Sequence, residues 1–130
     1  MHLEAPVNHI GKSQKEVYEF LSDLSNFEQL MADSIQTFEG LDADNFRFAL
    51  KGMPEIVLRR KEQSPHDKIV LGAASDKLPF TLTANLREIT AQETEVTLSF
   101  EGEFNAMMAM MIKAPITNFL NTLSSNLGTI

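Results

Sequence analysis

The side chains that could perform acid–base or metal chemistry are few in this sequence, and their spacing is poor for it. The three histidines are His2, His9 and His66, none is spaced as in a zinc-binding helix, and there is no cysteine. Neither a metal nor another cofactor is therefore expected. Ser64, His66 and Asp67 are too close in sequence to act as nucleophile, base and orienting acid, and a turn explains them better.

Two other polar side chains could act on a ligand. In a strand, counting by two from Ile56 through Leu58 places Arg60 on the apolar face, where it could bind a carboxylate or phosphate. The alternative is that a bulge or the strand end returns Arg60 to water, or that Glu88 pairs with it. Tyr18 could present its hydroxyl at the mouth of a pocket, or it could be a boundary residue with a packed ring.

Composition restricts the class of protein. The chain has 130 residues, of which 43% are hydrophobic and 22% charged, so residues 1–130 suit one globular domain. Its net charge of −7 repels nucleic acid and anionic lipid surfaces, so no nucleic-acid partner is expected. No apolar run approaches the roughly 20 residues of a membrane span, and the N-terminus lacks a signal-peptide pattern. A cytoplasmic protein without stable membrane insertion is the expectation.

The N-terminal segment predicts a strand and two short helices. Residues 2–11 alternate weakly as a first strand, although Pro6 counts against a continuous one. Ser13 and Glu16 fit a capping box that begins a helix, and Phe27–Met31 fits a second, shorter helix. The apolar stripe of the first helix consists of Val17, Phe20, Leu21 and Leu24.

From Ser34 to Phe104 the apolar residues recur with a period of two, which is typical of strands. Turn residues such as Asp42-Ala43-Asp44-Asn45 and Gly52-Met53-Pro54 separate the runs, and such short connections require antiparallel neighbours. The late runs alternate cleanly between apolar and polar residues, which predicts a sheet with one buried face. The expected strands cover residues 35–41, 45–51, 55–64, 68–74, 80–90 and 93–104.

The last quarter of the chain, Asn105 to Leu127, predicts one long amphipathic helix that covers this sheet. Four of the seven methionines lie in its first turns, where Met108 and Met111 are expected to face the sheet and Met110 to face outward. Pro115 predicts a bend. The stripe of the helix consists of Met108, Ile112, Ile116, Phe119, Leu123 and Leu127.

These elements predict an α+β domain with a curved antiparallel sheet of about seven strands around the long helix and two short helices after the first strand. The run from Val17 to Met31 after Ser13, and the Pro115 and Phe-Leu-x-x-Leu pattern of the last helix, resemble the SRPBCC superfamily. This superfamily contains START-like, polyketide cyclase-like and Bet v 1-like proteins of helix-grip fold. The resemblance covers nearly the whole chain. It implies a cavity for an apolar small molecule, and it transfers no catalytic residue.

Three functions follow as hypotheses. The first is binding or transport of a hydrophobic or amphipathic ligand, lipid-like or polyketide and aromatic, between the sheet and the last helix. The second is a cyclase- or hydratase-like enzyme acting on such a ligand. The third is a protein-interaction module without a ligand, which binds a second copy or another protein through the Met107–Met111 turn. The expected ligand-binding residues are Phe48, Leu58, Arg60, Leu71, Leu82, Phe100, Met108, Met111, Ile112 and Phe119.

Overall fold

The helices and strands follow the predicted order. The structure is a computed structural model of the chain, and it describes residues 1–31, 35–50, 55–73, 80–128 and 130. The expected strand ends at 51 and 74 and the turn at 52–54 lie outside the described residues. The strands are β1 (His2–Glu4), β2 (Asn8–Ile10), β3 (Ile35–Gly40), β4 (Asn45–Leu50), β5 (Ile56–Ser64), β6 (Lys68–Ala73), β7 (Phe80–Thr90) and β8 (Glu93–Gly102). The helices are α1 (Gln14–Ser22), α2 (Asn26–Met31) and α3 (Ala106–Leu127).

The capping box predicted at the start of α1 is confirmed. Ser13 Oγ accepts a hydrogen bond from the Glu16 backbone N–H at 3.1 Å, and Glu16 Oε1 accepts one from the Ser13 N–H at 3.4 Å. Two of the amide groups that a helix start leaves unpaired are thereby satisfied. Val17, Tyr18 and Leu21 form the buried side of the helix.

The strand predicted over residues 2–11 is present in two pieces. β1 pairs with β8 through Leu3 and Phe100, and β2 pairs with the same strand through Asn8 and Val96. Pro6 lies between the pieces, because proline has no N–H to give to a sheet. The described sheet therefore has eight strands, in agreement with the predicted α+β helix-grip architecture.

The described strands form one antiparallel sheet in the order β1-β8-β7-β6-β5-β4-β3, with β2 also on β8. Directly opposed residues in antiparallel strands point to the same face. The register opposes Leu3 to Phe100, Phe100 to Leu82, Leu82 to Leu71, and Leu71 to Arg60. This row belongs to the concave, apolar face of the sheet, which α3 covers.

Side-chain hydrogen bonds fix the C-terminal half of α3. Asn8 donates to the Ser124 carbonyl, and Ser124 Oγ donates to the Pro6 carbonyl at 3.2 Å. Asn126 donates to the Leu30 carbonyl in α2 at 2.6 Å. The buried residues of α3 are Ile112, Ile116, Phe119, Leu120, Leu123, Ser124 and Leu127.

The two ends of the sheet are closed differently. At the first end, which we call the α1 end, Gln14 donates to Asp67 in the β5–β6 turn at 3.0 Å. At the opposite end, the α3-start end, the amino group of Met1 donates to the Gly102 carbonyl at 2.6 Å, close to where α3 begins. The short helices thus occupy one end, and the methionine-rich turns of α3 lie at the other.

Candidate functional site

Most of the predicted ligand-binding residues form the interior between the sheet and α3. They are Phe48, Leu58, Leu71, Leu82, Phe100, Ile112 and Phe119, and each is buried in one continuous apolar cluster. Phe48 of β4 stacks on Phe119 of α3 with ring centroids 5.5 Å apart, so helix and sheet are in direct contact at this level. That these residues contact a ligand stays a prediction.

The expectation that Met111 faces the sheet is wrong. Its side chain is 68% exposed, whereas Ile112, the next residue, is 6% exposed. Successive residues of an α-helix are turned by about 100°, so the buried stripe that runs through Ile112 and Ile116 leaves Met111 at its side. Met108 is half-buried against the apolar cluster, and Met110 faces outward as expected, at 80% exposure.

Aromatic rings gather at the α3-start end. Phe100 is buried, with the rings of Phe80 and Phe104 at centroid distances of 4.9 and 6.2 Å. Phe80, Phe104 and Met108 are each half-buried and pack on the core. We call these three residues the apolar rim. Through Phe100, the rim continues directly into the interior between sheet and helix.

The interior has little capacity for acid–base chemistry. Within the ranges that the structure describes, the buried polar side chains are those of Thr94 and Ser124. Thr94 Oγ1 donates to the Lys12 carbonyl at 2.8 Å, and Ser124 Oγ donates to the Pro6 carbonyl. Both hydroxyl groups are thus engaged with the backbone, as buried polar groups normally are.

Arg60 lies on the concave face, opposite Leu71, which is one of the two placements that the sequence left open, and its contacts are with the protein itself. Its Nη2 donates to the carbonyls of Ser22, at the end of α1, and of Ala43, the latter at 3.3 Å. Its buried Nε forms an ion pair with Asp44 Oδ1 at 3.3 Å, without hydrogen-bond geometry. A bulge follows between Arg60 and Glu62. Arg60 therefore joins α1 to the β3–β4 turn.

The other polar candidates lie away from the apolar rim. Tyr18 is 8% exposed and meets His66 edge to face at 5.4 Å, which places its ring at the α1 end. Tyr18 is thus a packed residue and does not line the α3-start end. Glu88 is exposed near the end of β7, so the acid that pairs with Arg60 is Asp44 instead.

Sequence reasoning missed a surface cleft at the α1 end. It has a volume of about 380 Å³ and lies between the α1–α2 connection and the β3–β4 hairpin. The residues Asp42 to Asn45 were predicted as a turn, but nothing in the sequence shows that this turn faces the end of α1. The cleft is lined by Asp23, Leu24, Ser25, Phe38, Gly40, Leu41, Asp42, Ala43, Asn45 and Phe46.

The described residues contain neither a candidate metal site nor a candidate membrane span. In that part of the chain, no group of three or more histidine, cysteine, aspartate or glutamate residues could hold a metal ion. None of the helices described is both long enough and apolar enough to cross a membrane.

Known structures share this arrangement of sheet and helices. Norcoclaurine synthase from Thalictrum flavum is 7% identical with a TM-score of 0.79, covering 99% of this chain and 92% of that one. The Zhui aromatase/cyclase from Streptomyces sp. R1128 is 14% identical with a TM-score of 0.75 and the same coverage. A START superfamily protein from Mycobacterium smegmatis is 10% identical with a TM-score of 0.68, covering 98% and 97% of the two chains. The fold is START-like.

The structural likeness is not accompanied by sequence similarity. No protein-family model matches the chain, and no curated protein matches it. At 7 to 14% identity, these neighbours establish the helix-grip fold that the sequence predicted, and they transfer no function.

Proposed function

We propose that this START-like protein binds a small hydrophobic or amphipathic molecule between the concave face of the sheet and α3. The ligand reaches the interior at the α3-start end. The class of ligand is lipid-like or aromatic, because the wall that would meet it consists of phenylalanine, leucine, isoleucine and methionine side chains.

The apolar rim is the observation that carries this proposal. Phe80, Phe104 and Met108 are half-buried and continuous with buried Phe100, so an apolar path leads from the surface towards the interior. Methionine suits a wall that must adapt to a ligand, since its side chain is unbranched and polarizable. At the α1 end, by contrast, Arg60 and Gln14 hold α1 against the β3–β4 and β5–β6 turns.

The buried polar groups of the interior favour binding over catalysis. An enzyme of this fold would need positioned acid or base groups inside the pocket. In the described part of the chain, the buried polar groups are two hydroxyls already bonded to the backbone. The neutral interior also favours a ligand whose buried part is uncharged, because a buried unpaired charge is costly.

Titration with N-phenyl-1-naphthylamine, a neutral apolar fluorophore, tests the proposal. We expect saturable binding with a blue-shifted emission. Met108→Gln should weaken the affinity about fivefold, because about 1 kcal/mol of apolar contact at the rim is lost. A lack of saturable binding would count against an accessible interior.

Met110→Gln is the matched control, since it makes the same change on the exposed side of the same helical turn. We expect this variant to bind the fluorophore as the unmodified protein does. If Met110→Gln weakens binding as much as Met108→Gln does, the fluorophore binds at the helix surface and the proposed location is wrong.

A second candidate function is self-association through α3. Met107, Met110 and Met111 are 74%, 80% and 68% exposed and lie on neighbouring turns of the helix, so together they form an apolar surface. We call these three residues the methionine surface. α3 has a single charged residue, Lys113. The net charge of −7 opposes association of two copies at long range, but this face contributes no negative charge to the contact itself.

A further inference from the structure

The cleft at the α1 end has properties that differ from those of the interior. Its volume of about 380 Å³ lies within the range of small-molecule sites, roughly 300–1,000 Å³. One wall is the corner between α1 and α2, at Asp23 to Ser25, and the other is the β3–β4 hairpin. Arg60 joins the two walls by donating to the carbonyls of Ser22 and Ala43. Arg60, which is not itself a lining residue, therefore holds the two walls of the cleft together.

The base of the cleft is aromatic. Phe38 and Phe46 stack with centroids 5.2 Å apart, and Phe46 also stacks on Phe27 of α2 at 5.6 Å. Phe46 is buried, while Phe38 is half-buried and contributes to the lining. Leu24 and Leu41 add aliphatic surface, and Leu41 is 43% exposed. A flat apolar group bound here would contact both aromatic and aliphatic side chains.

The charged residues that line the cleft are all acidic. Its lining includes the carboxylates of Asp23 and Asp42, and none of its lining residues is a lysine, arginine or histidine. Asp23 Oδ1 is held by the backbone and hydroxyl of Ser25, at 3.1 and 2.6 Å. Arg60, the cation that joins the two walls, is paired with Asp44.

Asp42 is held as an anion. Hydrogen bonds from the Asn45 side chain, and from the backbone N–H of Asp44 next, lower the pKa of Asp42 below its ordinary value of 3.8. Its Oδ1 accepts from both groups at 2.9 and 2.8 Å, whereas Oδ2 accepts from Asn45 at 3.0 Å. A carboxylate oxygen can accept more than one hydrogen bond, so Oδ2 can also receive a ligand donor.

From this combination we propose that the cleft is a second binding site, which takes a small organic cation with a flat apolar body. The apolar body lies against Phe38 and Leu41, and the cationic group lies towards the carboxylates of Asp23 and Asp42. The half-buried ring of Phe38 adds attraction between a cation and an aromatic face. This site is separate from the interior of the proposed function, because the buried rings of Phe46 and Phe48 lie in contact with each other between Phe38 and Phe119.

Three probes of nearly the same shape test the charge preference: benzylammonium, benzyl alcohol and benzoate. Each is titrated into ¹⁵N-labelled protein, and the amide shifts are followed. We expect benzylammonium to move the amides of residues 23–25 and 38–46 in a saturable way. Benzyl alcohol should bind more weakly and benzoate most weakly. Equal binding of benzoate and benzylammonium, or benzylammonium shifts confined to other residues, would overturn the proposal.

Substitutions at Leu41 test the site without disturbing the bonds of the two aspartates. Leu41→Lys places a positive charge in the cleft, and Leu41→Gln is its neutral control of similar length. We expect Leu41→Lys to weaken benzylammonium binding at least fivefold relative to Leu41→Gln. Both variants should fold, because Leu41 is already partly exposed, and their melting temperatures verify this. Equal affinities of the two variants would contradict a site in this cleft.

Discussion

At the scale of single residues, Arg60 joins parts of the chain that are distant in sequence. Its guanidinium contacts Ser22 at the end of α1, and both Ala43 and Asp44 in the β3–β4 turn. A cation near the last carbonyls of a helix also interacts favourably with the helix dipole. Counting along β5 gave the concave face as one of two possible placements of Arg60. It could not predict the partners, because they depend on how α1 meets a hairpin.

Arg60→Lys should destabilise the protein by about 1–2 kcal/mol. Lysine keeps the charge, but it lacks the planar fork that reaches two carbonyls and a carboxylate together. The free energy of unfolding in urea measures the loss. Arg59→Lys is the control, since Arg59 is exposed, and it should change stability by less than about 0.5 kcal/mol. Similar losses in both variants would show that the Arg60 contacts contribute nothing specific.

At the scale of elements, the sequence predicted the helices and strands to within a few residues. The period of two marks β7 and β8 well, because one side of each strand is buried and the other faces water. The end of β8 was expected at 104 and lies at Gly102, since apolar Phe104 prolongs the pattern while packing as part of the rim. Met111 was misplaced for a different reason. The first turns of α3 are apolar all around, so periodicity there does not distinguish a buried side.

Ser13→Ala should cost about 1 kcal/mol of stability. The change removes the hydroxyl that accepts from the Glu16 N–H at the start of α1, leaving that amide to water. Thermal unfolding measures the effect. Ser13→Thr keeps an acceptor oxygen in the same place and should recover most of the lost stability. A threonine variant as unstable as the alanine variant would mean that the cap is not the cause.

The two halves of α3 should differ in amide hydrogen exchange. The C-terminal half is fixed by Asn8, Ser124 and Asn126, whereas the first turns expose the methionine surface. Few buried contacts mean a low free energy of local opening. We therefore expect residues 106–114 to exchange at least tenfold faster than residues 116–127, measured by NMR at neutral pH. Uniform protection along the helix would contradict this.

At the scale of the whole molecule, the fold could be predicted and the ligand could not. The order of helices and strands, with short connections, leaves few ways to cover a one-faced sheet. The interior residues could be named because burial follows from alternation, as Phe48 and Phe100 show. The cleft at the α1 end was not foreseen, because it arises where two segments of unrelated pattern meet. The identity of a ligand depends on the detailed shape of its cavity. The alternation of apolar and polar residues along a strand does not determine that shape.

Self-association should depend on the methionine surface. If two copies associate through α3, light scattering at high protein concentration gives about twice the mass of one chain. Met110→Asp should restore the single-chain mass, because a carboxylate would be buried in the contact. Asn118→Asp adds the same charge at an exposed position further along the helix and should change the mass less. A single-chain mass for the unmodified protein would rule this candidate out.

The division of the first predicted strand into β1 and β2 also affects whether this edge of the sheet can pair with a strand of another molecule. β1 and β2 lie at an outer edge of the sheet, and each is three residues long. Pro6 lies between them and offers no N–H to an incoming strand. A strand from another molecule would find only short, interrupted runs to pair with along this edge. The break at Pro6 thus protects this edge against pairing with the edge of another molecule, which is a hazard of open sheets.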